Sequence, residues 1–172
     1  MAKDPVHHDV MTMLVALAHK PDKDAGLRRI RFEATLSACR GQIDDHPHIA
    51  LTWLWKLHQG VTKIRQATIR KSCRAAFRQA TRQSPEQAML MAVTLLNQTP
   101  AGNPLQKCAV SAFTQAFDCG LRNDPRTDRI AAFTFKAIME IDDAGLGKSL
   151  KSDILHRLIA VNHGIHLPGN RQ

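Results

Sequence analysis

Ser84-Pro85, Asn103-Pro104 and Asp124-Pro125 follow one another at intervals of about 20 residues, and each sets a potential cap directly before a proline. Such a pair reads as a helix start. The Ser, Asn or Asp oxygen can accept from a first-turn N–H, and proline at the first helical position gives up an N–H that would lack a partner anyway. Gln87, three residues after Ser84, completes a capping-box pattern. Apolar residues at helical spacing follow each start: Ala88, Met91, Ala92, Leu95 and Leu96; then Leu105, Cys108, Ala112, Phe113, Ala116 and Phe117, ending at Gly120; then Ile130, Phe133, Ala137, Ile138 and Ile141, ending near Gly145. A last helix is expected through Leu150, Ile154, Leu155, Leu158 and Ile159, with a lightly packed tail around Ile165 to Gly169.

The first half obeys the same rules less plainly. Asp4-Pro5 opens a helix whose inward face is expected to carry Val6, Val10, Met13, Leu14 and Leu17, and the polar run from Pro21 to Gly26 closes it. Between Ile30 and Ala38 apolar and polar residues alternate at the strand period. A lone strand is marginal, so a helix from Leu27 to Arg40 is expected instead, with Leu27, Ile30, Ala34 and Ala38 inside. Asp44, Asp45 and Pro47 then punctuate the chain. Ala112-Phe113-Thr114 echoes Ala132-Phe133-Thr134, but two short echoes do not make a solenoid, and a bundle has the same loop lengths. The expected fold is all-α: a bundle of about seven helices, compatible with antiparallel helical hairpins, in a single domain over residues 1–172.

Charge is distributed unevenly over this pattern. Residues 1–45 carry seven Lys/Arg against seven Asp/Glu, residues 46–83 eight against none, and residues 84–172 nine against eight, so nearly all of the net charge of +9 sits on one segment. On a helix at 100° per residue, Lys56, Lys63, Arg70, Lys71, Arg74, Arg78 and Arg82 share an arc of about 120°, and Arg65 alone falls outside it. The opposite arc holds Leu54, Trp55, Val61, Ile69, Cys73, Ala76, Phe77 and Ala80. Gly60 makes the segment either one kinked helix or two helices joined by a turn. A face built for solubility mixes signs, since Glu to Lys pairs at i,i+4 stabilise a helix by roughly 0.2 to 0.5 kcal/mol and like-charge pairs cost as much. Arg70, Arg74, Arg78 and Arg82 repeat at i,i+4 with no acid to relieve them, which points to an anionic partner.

Other chemistry finds less support. His7 and His8, His46 and His48, and His163 and His166 match no metal-ligand spacing, so neither metal nor cofactor is expected. Asp44-Asp45 and Asp142-Asp143 stand where helices begin or end, and capping accounts for them. Gly145 to Ser149 resembles the end of a phosphate loop, but its first glycine position is occupied by Asp142 and no strand precedes it. Cys39, Cys73, Cys108 and Cys119 are far apart in the chain and read as reduced thiols. Trp53 and Trp55, about 200° apart on a helix, are expected between helices ahead of a role in stacking. No apolar run is long enough for a membrane span, the apolar arc is too small-sided for a membrane-surface helix, and Met1 to Lys20 lacks signal-peptide zones, so a cytoplasmic location without a membrane partner is expected.

The leading expectation is a small, basic, non-enzymatic protein that binds DNA or RNA through phosphates, of the kind found as an accessory subunit in nucleoprotein assemblies. The alternative is an adaptor or inhibitor whose basic helix docks an acidic protein. A minority variant is a helix-turn-helix with its turn at Gln59 to Thr62 and Lys63, Gln66 and Arg70 near base edges, although Lys56 and Gln66 are atypical for that motif.

Overall fold

Every regular element among the described residues of the computed structural model, 5–123 and 127–162, is an α-helix, eight in number. The break at Gly60 accounts for the difference from seven. The chain groups into two units, one up to Gln79 and one from Ala80.

The first unit holds α1 (Pro5–His19), α2 (Ala25–Gly41), α3 (Pro47–Gln59) and α4 (Lys63–Gln83) as far as Gln79. α1 packs on α2 and α3, and α2 packs on α3. The alternation over residues 30–38 does not make a strand. Asp24 caps α2, its Oδ1 accepting from Gly26 N at 2.7 Å and Leu27 N at 3.2 Å, so the helix starts ahead of the expected Leu27. Two inward faces expected from sequence are corrected. In α1, Met11, Val15 and Ala18 are buried, while Val10, Met13 and Leu17 are exposed; Asp4 and the Val6 side chain lie outside the described residues. In α2, Phe32, Thr35, Leu36 and Cys39 are buried, while Leu27 and Ile30 are exposed. Both helices carry two apolar stripes at helical spacing. The choice in α2 turns on Thr35, whose single hydroxyl proton is shared between Leu14 O at 3.0 Å and Arg31 O at 2.9 Å, so that the hydroxyl is satisfied in the interior. Cys39 beside it is fully buried, which pushes its thiol up to about 12.

The second unit holds the last turn of α4, α5 (Pro85–Gln98), α6 (Pro104–Asn123), α7 (Thr127–Met139) and α8 (Leu146–Asn162). Here the expected faces are largely the buried ones: all five apolar residues of α5 and all six of α6 named above are interior. Ser84 Oγ accepts from Gln87 N at 3.2 Å, and Asn103 Oδ1 accepts from Leu105 N at 2.9 Å, so both proline-linked starts act as caps. The third, Asp124-Pro125, lies outside the described residues, as does the tail from His163. Gly120 does not end α6. It is a buried interior residue at which a β-carbon would stand 3.1 Å from Ile130 Cγ2, and it lets α6 and α7 approach closely. α7 ends at Met139, and Gly145, at φ +54°, belongs to the turn before α8. In α8, Leu150 and Ile154 are buried but Ile159 is exposed.

Candidate nucleic-acid interface

Local sequence decides where α4 begins. α3 stops at Gln59, Gly60 to Thr62 turn the chain, and Thr62 O accepts from Gln66 N at 2.9 Å as the first helical bond of α4. The basic segment is therefore two helices. Lys56 lies on α3, its ammonium 4.4 Å from the centroid of the Trp53 ring, and a single helical arc does not join it to the residues of α4. Trp53 and Trp55 are both buried; Trp53 also meets His8 at 5.2 Å between ring centroids, so neither indole offers a free stacking face.

On α4 itself the two arcs separate as the sequence pattern requires. Ile69, Cys73, Ala76, Phe77 and Ala80 are buried and Val61, in the turn, is half-buried, whereas Lys63, Lys71, Arg74, Arg78 and Arg82 are exposed. Arg65, outside the arc, packs over the Phe32 ring at 4.9 Å. Arg82 stands on the last turn, in the second unit, so Lys63 to Arg78 is the stretch considered as one site. Arg70 departs from the expected solvent-facing position. It is half-buried at the edge of the stripe, close enough to His58 for its charge to act on that ring.

Among the described residues no carboxylate pairs with Lys63, Arg70, Lys71, Arg74 or Arg78. Elsewhere four cations are in ion pairs: Arg31 with Asp22 at 3.1 Å, Arg129 with Glu86 at 3.0 Å, Lys151 with Asp143 at 2.8 Å, and Arg157 with Asp118. Four residues of helix advance about 6 Å, against about 3.4 Å of duplex axis per phosphate of one strand. Each guanidinium of the i,i+4 series can thus meet a phosphate of its own. Arg40, at the end of α2, adds a cation that the sequence pattern did not single out, its Nε donating to Ser72 Oγ of α4 at 3.0 Å. Arg40 stands just before Asp44 and Asp45, which hid it in the charge count.

The base-reading variant has the required order of helix, turn and helix, but its contacts fit poorly. Gln66 is half-buried and its Nε2 donates back to Val61 O at 3.3 Å, so it is engaged with the turn. With Arg70 half-buried as well, Lys63 is the exposed member of the proposed base-reading trio.

Among the described residues no three His, Cys, Asp or Glu side chains converge as a metal site; His7, His163 and His166 lie outside the residues whose side chains are described. Asp143 is paired with Lys151, and Asp142 N donates to Asn97 Oδ1 at 3.0 Å, so the acid pair belongs to the turn before α8. Gly145 and the residues after it form that turn and the start of α8, with no strand ahead of them among the described residues. Among the described residues no helix is long and apolar enough to cross a membrane. No family model, curated protein or solved structure matches this chain.

Proposed function

We propose that this protein binds DNA or RNA without catalysing a reaction on it, and that it holds phosphates on the exposed face of α4 through Lys63, Lys71, Arg74 and Arg78, with Arg70 at the edge. One observation carries the reading. The face collects like charges on one helix, in a segment over residues 46–83 that has no Asp or Glu of its own, and among the described residues none of these charges has a carboxylate partner. Each i,i+4 pair of like charges costs a few tenths of a kcal/mol, a cost that bound phosphates would reverse. Phosphates are favoured over base edges as the contacts because Gln66 is tied to the turn.

The test is reversal of three of the exposed positions, Lys71→Glu, Arg74→Glu and Arg78→Glu together, with binding read by gel shift on single- and double-stranded DNA and RNA of unrelated sequence. Loss of binding on every sequence with unchanged circular dichroism is expected. Unchanged binding would refute the reading.

A second reading, an adaptor that docks an acidic protein, is favoured by Ile64. This side chain is 85% exposed at the start of the same helix, and a protein interface needs such an apolar anchor. Binding by phosphate contacts falls steeply with salt, whereas an apolar anchor is salt-tolerant, so the salt dependence separates the two.

A further inference from the structure

The outer face of α1 is apolar and bare. Val10, Met13 and Leu17 are 48%, 65% and 41% exposed, and they recur at intervals of three and four residues, the spacing of a coiled-coil seam. The helix needs none of them for its own packing: Met11, Val15 and Ala18 face the core, about 130° round the helix from the outer seam. A shallow apolar depression lined by Met13, Ala16, Leu17, His19 and Lys20 runs beside the seam. Single exposed apolar residues are ordinary, but a contiguous seam marks a contact surface.

Charge identifies the occupant. Asp9 and Lys20 stand at opposite ends of the seam, on the same flank of it, about 20° apart round the helix. Lys20 N still donates to Ala16 O at 3.1 Å, so Lys20 continues the helical turn. Both are exposed, and neither forms an ion pair among the described residues. We propose that the outer face of α1 pairs antiparallel with the same face of a second copy of this chain. A two-fold axis that sets Met13 against Leu17 of the second copy repeats that contact in reverse. It also lays the aliphatic stem of each Lys20 over the opposite Val10 and brings its ammonium to the opposite Asp9. Parallel pairing would put the two Asp9 at one level but on opposite sides of the seam, and the two Lys20 likewise, with no opposite charge across from either, so charge selects the antiparallel form. α1 has 15 residues and is about 22 Å long and roughly 10 Å across, so one face of it falls short of the roughly 800 Å² per partner that stable interfaces bury. The dimer is accordingly a weak, concentration-dependent one. The inference is independent of the nucleic-acid reading.

Sedimentation equilibrium of the full chain over a concentration series tests it. The wild type is expected to show a reversible monomer–dimer equilibrium, and Leu17→Glu to be monomeric with an unchanged circular dichroism spectrum. Should Leu17→Glu fail to fold, the exposed Met13→Ser serves the same purpose. Asp9→Lys alone and Lys20→Asp alone each break both symmetry-related pairs and should weaken the dimer about tenfold, while the double variant Asp9→Lys, Lys20→Asp should restore it. A wild type that stays monomeric throughout the series, seam variants that still dimerise, or a double variant that fails to recover would each overturn the proposal.

Discussion

The imidazole of His19 lies so close to the α-carbon of Gly60 that a β-carbon there would stand 2.4 Å from the ring Cδ2. The same ring places Nε2 3.1 Å from Leu57 O, a carbonyl in the last turn of α3 that the helix itself leaves without a partner. Gly60 sits at φ −105°, a value open to any residue, so the missing side chain is what the site requires. Gly60→Ala should therefore destabilise the first unit by about 1–3 kcal/mol, measured by urea unfolding. In a His19→Ala background the same change should cost little, because the obstructing ring is gone. Equal costs in both backgrounds would refute the steric account.

His58 supplies a pH dependence. It is 1% exposed and its Nε2 has no hydrogen-bond partner among the described residues; burial first, and the Arg70 guanidinium second, hold its pKa below the ordinary value. The unfolded chain therefore takes up this proton at a pH where the folded chain does not. Stability should decline as pH falls below about 6.5 and level off once the folded ring is itself protonated. His58→Gln should flatten most of that limb in unfolding experiments run from pH 7 downward. A residual slope is expected from His48, which is shifted the same way by burial and by His46.

Single alanine substitutions grade the stripe. Lys71→Ala, Arg74→Ala and Arg78→Ala should each lower the slope of log K against log salt by roughly 0.9 on duplex DNA and roughly 0.7 on single strands, irrespective of sequence. Arg70→Ala should depart from this series, since its side chain is half-buried beside His58. A change of sequence preference in any exposed variant would point to base contacts instead.

The two methionines of α1 should differ sharply in stability. Met11 is interior and Met13 projects outward. Met11→Ala is expected to cost about 2–5 kcal/mol in denaturant unfolding, and Met13→Ala to stay within about 0.5 kcal/mol for the monomer. Similar losses at both positions would mean that the face of α1 is assigned wrongly.

Legibility in the sequence follows the number of apolar faces on each helix. α5 and α6 each carry one dominant stripe behind a capped proline, and most of their buried residues are legible from it, although Met89 and Val93 of α5 and Gln106 and Ala109 of α6 widen the buried arc beyond it. α1 and α2 each carry two, and periodicity cannot choose between stripes of equal spacing. In α2 the choice rests on a threonine hydroxyl that finds a carbonyl of α1, a contact between residues 21 positions apart. The arc of α4 was legible because its charge is one-signed and its buried side holds Ile69, Cys73, Ala76 and Phe77. Arg70 at the edge of that arc was misjudged, since its half-buried setting beside His58 depends on the approach of α3.

The four cysteines turn each unit into its own clock. Cys39 and Cys73 are buried in the first unit and Cys108 in the second, while Cys119 is partly exposed. A thiol-reactive reagent in the native state can reach a buried sulfur only when the surrounding helices open, so its rate there measures the opening free energy of that region. Modification should begin at Cys119. The later appearance of label at Cys39 and Cys73, against Cys108, then times the breathing of the two cores separately, with no residue of the natural chain replaced.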